Sequence, residues 1–248
     1  MQPAANGQSL MARVIRSTSW IILGFGAAQI LRLASNLLLT RILFPEAFGL
    51  MALVAVITIG LSLFSDMGIS NAIAQSARGD DPDFLDTAWT VQILRGGLLW
   101  ALTGALALPT ALFYDAPELA YCLPVAGIGL ALQGLTPTKV ETAYRHLLVG
   151  RVTAINIIAQ GFGIISMVAL AIWTQSVIAL AVGSALQEGA KLILSHKMLP
   201  GRSNRFRWEP AATRDLIGMG KWIFLSTACF FLTTQGDRAI LGKYLTLE

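Results

Sequence analysis

Arg32 is the residue whose type and position ask most of the chain. It stands inside an apolar stretch, residues 18–40, of about 23 residues, which as a helix is roughly 35 Å long and enough to cross a bilayer. At helical spacing Gln29, Arg32, Asn36 and Thr40 share one face, with Ser35 beside them, and the other face is Ile, Leu, Ala and Phe. A guanidinium keeps its charge and forks onto anionic oxygens, so the chemistry this stripe offers is capture of an anion. Such a stripe cannot face lipid; it has to face other helices or a water-filled cavity. A buried carboxylate such as Asp66 is the structural alternative. Arg95 near the start of a later apolar run, Asp66 at the end of the second, and Arg238 near the end of the chain complete the candidate cavity set with Gln29, Arg32 and Asn36. Arg95 is also placed to reach headgroups, and Asp66 to cap a helix or pair with an arginine. Glu188 and Lys191 are three apart and are expected to pair with each other.

No bond-making constellation accompanies them. The sequence has no Walker loop, no metal-spaced His/Cys set and no nucleophile motif, so neither a catalytic role nor a cofactor or metal is expected. His146 and His196 read as isolated, solvated side chains. Cys122 and Cys229 lie in apolar runs and read as small hydrophobes. Arg202, Arg205 and Arg207, interleaved with Phe206 and Trp208, imitate a nucleic-acid patch, but their place beside a span favours anionic lipid.

The elements that must position these residues are membrane spans. Of 248 residues, 55% are hydrophobic and 13% charged, against about 25% charged in a soluble domain. Uncharged runs recur along the whole length, which predicts an all-α integral membrane protein of about seven transmembrane helices. The expected spans are 18–40, 47–65, 88–112, 119–136, 152–173, 177–194 and 216–241. Residues 75–86 read as an acidic loop, and residues 137–151 as a polar connection. Residues 1–17 form an N-terminal segment, 18–195 a six-helix bundle, 196–214 a basic loop, and 215–248 the first helix of a second bundle. Positive charge is one-sided. Arg13, Arg16, Arg78, Lys139, Arg145, Arg151, Lys197, Arg202, Arg205, Arg207, Arg214 and Lys221 fall on the side of the N-terminus, and only Arg41 and Lys243 on the other. That places the N-terminus in the cytoplasm.

Shifted by 202 residues, the first span meets the last: Trp20 meets Trp222, Ile15 meets Ile217, Arg41 meets Lys243 and Glu46 meets Glu248. Repeated halves with polar residues near the midplane mark transporters. Three stretches then carry a family resemblance. Leu39-Thr40-Arg41-Ile42-Leu43-Phe44-Pro45-Glu46-Ala47-Phe48-Gly49 is close to an "ARxLgPeefG" opening. Phe64-Ser65-Asp66-Met67-Gly68-Ile69-Ser70-Asn71-Ala72-Ile73-Ala74-Gln75 is close to "DLGLSxAxiQ". Gln235-Gly236-Asp237-Arg238-Ala239-Ile240-Leu241-Gly242 is close to "xxDxxilG". In this order and spacing they resemble the polysaccharide and O-antigen flippases, the polysaccharide transporter branch of the superfamily that also holds multidrug exporters. The resemblance implies flipping of undecaprenyl-diphosphate-linked oligosaccharide across the bacterial inner membrane for O-antigen or exopolysaccharide synthesis. It implies membrane lipids, a polysaccharide polymerase and glycosyltransferases as partners, and no nucleic acid. Members of that family are about twice this long, so the chain corresponds to the first half and the opening helix of the second, and transport by this length alone is not implied. An ion-coupled exporter of small molecules and a non-transporting scaffold of the polysaccharide machinery stand as alternatives. Arginine in the first helix, where an exporter would place an acidic residue for ion coupling, favours an anionic cargo.

Overall fold

A computed structural model describes residues 10–65 and 68–216, together with 218 and 226. The described residues are helical, without strands: α1 (Leu10–Leu39), α2 (Pro45–Phe64), α3 (Ile69–Gln75), α4 (Pro82–Phe113), α5 (Leu119–Gly134), α6 (Lys139–Arg145), α7 (Val149–Thr174) and α8 (Ile178–Met198). Five are long and apolar enough to span a membrane, or six when α5 and α6, bent by 59° at their junction, count as one span. The exposed surface is apolar where lipid would be, with Ile22, Leu23, Phe25, Leu112, Ile165 and Trp173 all exposed. The expected seventh span, 216–241, lies outside the described residues except at its start, as does the matching half of the internal repeat.

The expectation of a loop over 75–86 gives way at its end. The short helix α3 stops at Gln75, and α4 begins at Pro82, six residues before the expected 88. The local reason is a helix start. The Asp81 carboxylate accepts the Asp83 N–H at 3.1 Å, and Pro82 occupies the first helical position, where its missing N–H costs nothing. At 32 residues, α4 is about 48 Å long and overruns a hydrocarbon core of about 30 Å. Its head therefore stands at the end of the bundle that also carries α3, α6 and the chain after α8. This is called the charged end below. The polar stretch 137–151 is likewise not a plain connection, since α6 forms within it.

The long helices pack in the order α1–α7–α8–α5–α4, with α2 against α5 and α4. Between α4 and α5 the contact is backbone to backbone. A methyl group on Gly134 would fall 2.7 Å from the Gln92 carbonyl oxygen and 3.0 Å from the Gly96 Cα. Lipid supplies no hydrophobic drive between helices, so such close approach is a main source of their attraction. Gly134→Ala should therefore push the two helices apart and lower stability by about 1–3 kcal/mol. Thermal unfolding in detergent checks this, with Gly97→Ala as the silent control because nothing lies within 4 Å of a methyl there.

Candidate functional site

Two adjoining cavities run along the inner faces of α2, α4, α5 and α8. The one nearer the charged end holds about 250 Å³ and is lined by Ser62, Gln92, Arg95, Gln133, Glu141 and Lys191, among others. The second holds about 370 Å³ and is lined by Thr58, Ala55, Gly129, Ser184, Gln187 and Glu188, among others. Ser62, Leu130 and Gln133 belong to both walls, so the two join end to end into one groove.

Arg95 is the fixed cation of this groove. Its Nε donates to Ser65 Oγ at 2.9 Å and its Nη2 to the Ser62 carbonyl oxygen at 2.7 Å. Both acceptors lie at the C-terminal end of α2, where the unsatisfied carbonyls favour a cation. Thirteen residues separate Arg95 from the head of α4, so the guanidinium lies about 20 Å along the helix. It is directed at the end of α2. Gln92 Oε1 and Glu188 Oε2 are buried without a hydrogen-bond partner among the described residues, and the nearest Lys191 Nζ stands 3.9 Å from Glu188 Oε2. Two cationic side chains, three glutamine amides and two carboxylates, Glu141 and the partly buried Glu188, line this space and can hold a polar guest by charge and hydrogen bonding. Among the described residues no group of His, Cys, Asp or Glu side chains is arranged to hold a metal ion.

Gln29, Arg32 and Asn36 are all exposed on α1, while Ser35 and Leu39 on the same helix are buried. α1 lies against α7, and Gln160 Nε2 donates to the Ala28 carbonyl oxygen at 2.9 Å across that contact. The polar stripe is thus left open by the described helices and is not joined to the Arg95 groove. Asp66 and Arg238 lie outside the described residues. The groove amides Gln92, Gln133 and Gln187 were not singled out from sequence. The signal that found Arg32, polar side chains inside apolar runs, applies to them equally.

The charged end has its own architecture. Residues 202–209 run extended across the head of α4 as a strap. Asp86, only 3% exposed, accepts the Arg205 N–H at 3.0 Å and Arg202 Nη2 at 3.0 Å. The Arg207 N–H is received by Thr90 Oγ1 at 3.1 Å and the Glu209 N–H by Thr87 Oγ1 at 3.2 Å. Alternate backbone donors of an extended chain thus meet side-chain acceptors on one helix. Asn204 clamps Thr138, accepting its N–H at 3.1 Å and donating to its Oγ1 at 2.7 Å. Arg207 pairs with Asp83 at 2.9 Å, and Phe206 packs against Trp89 with ring centroids 5.1 Å apart. Arg78 bridges Asp81 and Glu209, which raises its pKa further and lowers that of Asp81. His146 is not isolated. Its Nε2 lies 2.8 Å from Asp80 Oδ1, and this contact, with Arg145 at 3.2 Å, holds the Asp80 carboxyl below the ordinary carboxylate range. His196 lies in the last turn of α8, with Nδ1 3.0 Å from the Leu192 carbonyl oxygen. The basic stretch 196–214 is therefore partly a docked segment, not a free loop.

A family model described as "Polysaccharide biosynthesis protein" matches residues 38–248. The chain is 24% identical over 258 residues to the succinoglycan biosynthesis transport protein ExoT of Rhizobium meliloti (strain 1021), covering 100% of this chain and 49% of that protein. It is 32% identical over 95 residues to an uncharacterized membrane protein in the cps region of Klebsiella pneumoniae, covering 38% of this chain and 19% of that protein. The chain thus spans about half the length, or less, of these curated relatives. No solved structure matches.

Proposed function

The chain belongs to the polysaccharide biosynthesis protein family, and from that premise we propose that it supplies the first bundle of a transporter that flips undecaprenyl-diphosphate-linked oligosaccharide across the bacterial inner membrane. In this reading residues 18–195 form the bundle, residues 215–248 open a second one, and the charged end faces the cytoplasm, in keeping with the one-sided positive charge. The observation that carries it is the groove itself. Arg95 is held inward by α2, and amides from three other positions line the same space. A diphosphate needs fixed cations and a sugar needs amide and hydroxyl partners, while the prenyl chain can remain in lipid beside the open faces of the bundle. The Rhizobium relative, a succinoglycan biosynthesis transport protein by name, supports a polysaccharide precursor as cargo. Polymerase and glycosyltransferases would act on either side of this step.

Binding tests the reading directly. A photoreactive undecaprenyl-diphosphate oligosaccharide should crosslink to α2, α4, α5 or α8 in membranes holding the chain, and unlabelled diphosphate lipid should compete. Equal competition by undecaprenol, which has no phosphate, would sink the proposal. Competition by a small cationic amphiphile but not by the diphosphate lipid would turn it toward a small-molecule exporter.

A further inference from the structure

A third cavity, of about 340 Å³, opens at the charged end between α6, the head of α4 and the start of the strap. Its wall holds five charged or titratable side chains: Asp80, Asp86, Lys139, His146 and Arg202. Both carboxylates are already matched. Asp80 takes Arg145 and His146, and Asp86 takes Arg202, Asn204 and the Arg205 N–H. Lys139 is not matched. It is only 8% exposed, its stem packs beside Gly201, where a methyl group would lie 3.6 Å from Lys139 Cγ, and no hydrogen bond or ion pair reaches its ammonium among the described residues. The stem is thus covered while the residue lines the cavity, and a cation so placed attracts whatever anion fills the space.

We propose that this cavity is a binding site for an anionic phosphate group, with Lys139 as its central cation and Arg202 and His146 at its edge. Leu85, Ala143, Leu148 and Pro200 supply apolar walls, which strengthen the attraction by excluding water. A phosphate is favoured over a single carboxylate because its several oxygens can meet Lys139 and, at the rim, the Arg202 donors that Asp86 leaves unused. The phosphate can come from a lipid headgroup or from solution. The neighbouring strap exposes Arg205, Phe206 and Trp208, a combination suited to the headgroup layer. The site lies apart from the Arg95 groove and shares none of its lining residues.

The test uses the full chain in uncharged detergent, titrated separately with inorganic phosphate, short-chain phosphatidylglycerol, phosphatidylcholine and potassium chloride at matched ionic strength. Amine labelling of Lys139, read by mass spectrometry, reports occupancy in the unmodified protein. Saturable protection by phosphatidylglycerol alone assigns a lipid headgroup, and protection by inorganic phosphate assigns a soluble ligand. Lys139→Gln should weaken binding, read as a shift in thermal unfolding, by roughly tenfold or more, the loss of one charge-assisted contact, while Lys139→Arg retains it. No saturable protection by either probe overturns the proposal, as does a Lys139→Gln titration equal to that of the unmodified chain. Should that variant not accumulate, the labelling result decides. No transport is read here, so failure would leave the flipping proposal standing.

Discussion

In a full-length version of the transporter, Arg32→Ala should abolish export of the polymer in the producing cell while the amount of protein in the membrane stays unchanged. That the protein should persist follows from where the side chain lies. Arg32 is exposed on the face of α1 that α7 does not cover, and Ser35 and Leu39 make the buried side. Truncating it removes no described packing contact and leaves no described partner unpaired, so the effect on stability should stay within about 0.5 kcal/mol. The effect on a bound diphosphate should be far larger. Two charge-assisted hydrogen bonds from one guanidinium, at about 1.5–3 kcal/mol each, correspond to roughly a hundredfold to ten-thousandfold loss. Arg32→Lys keeps the charge and loses the fork, so export should fall to an intermediate level. Polymer yield and membrane immunoblots, measured together, decide the matter. Normal export with Ala would remove Arg32 from the cargo path, and loss of the protein itself would make it a structural residue.

The second large effect is expected at Asp86. Asp86→Ala deletes the acceptor of the Arg205 N–H and the partner of Arg202, and it leaves the Asn204 amide short of one contact. Each hydrogen bond lost from this partly exposed segment is worth about 0.5–1.5 kcal/mol, and with three lost together the strap should lift from α4. Tryptic cleavage after Arg205 and Arg207 should accelerate by roughly tenfold or more, and hydrogen exchange at the amides of Arg205, Arg207 and Glu209 should rise with it. Asp86→Asn preserves an oxygen for the Arg205 N–H and should be milder. Unchanged cleavage in the Ala variant would mean that Phe206 on Trp89 and the Arg78–Glu209 and Arg207–Asp83 pairs suffice to hold the segment.

The long helices were legible because a bilayer imposes length and apolarity on any run that crosses it. The expected spans at 47–65, 119–136, 152–173 and 177–194 correspond to α2, α5, α7 and α8 within a few residues. The head of α4 was missed although its signal was local: Asp81-Pro82 is a helix start, but four acidic residues nearby resembled a solvated loop. The strap was not legible at all. Its partners Asp86, Thr87 and Thr90 stand well over a hundred residues earlier in the chain, and local composition does not record which hydroxyl an extended backbone will meet. Lys139 gave no cue for the same reason, since its burial depends on Gly201 folding over it. The polar stripe of α1 was visible from periodicity, yet what faces it belongs to residues beyond those described.

Ala212 and Leu216, at the start of the helix that leaves the strap, are fully buried in a cluster with Ile73, Phe84 and Ala88. Up to Leu216 the polypeptide is therefore anchored to the first bundle. A force applied by whatever follows is delivered to α4, and α4 is one continuous rod whose flank carries Arg95. A change in tilt at that anchor would be felt first by the helix that carries Arg95.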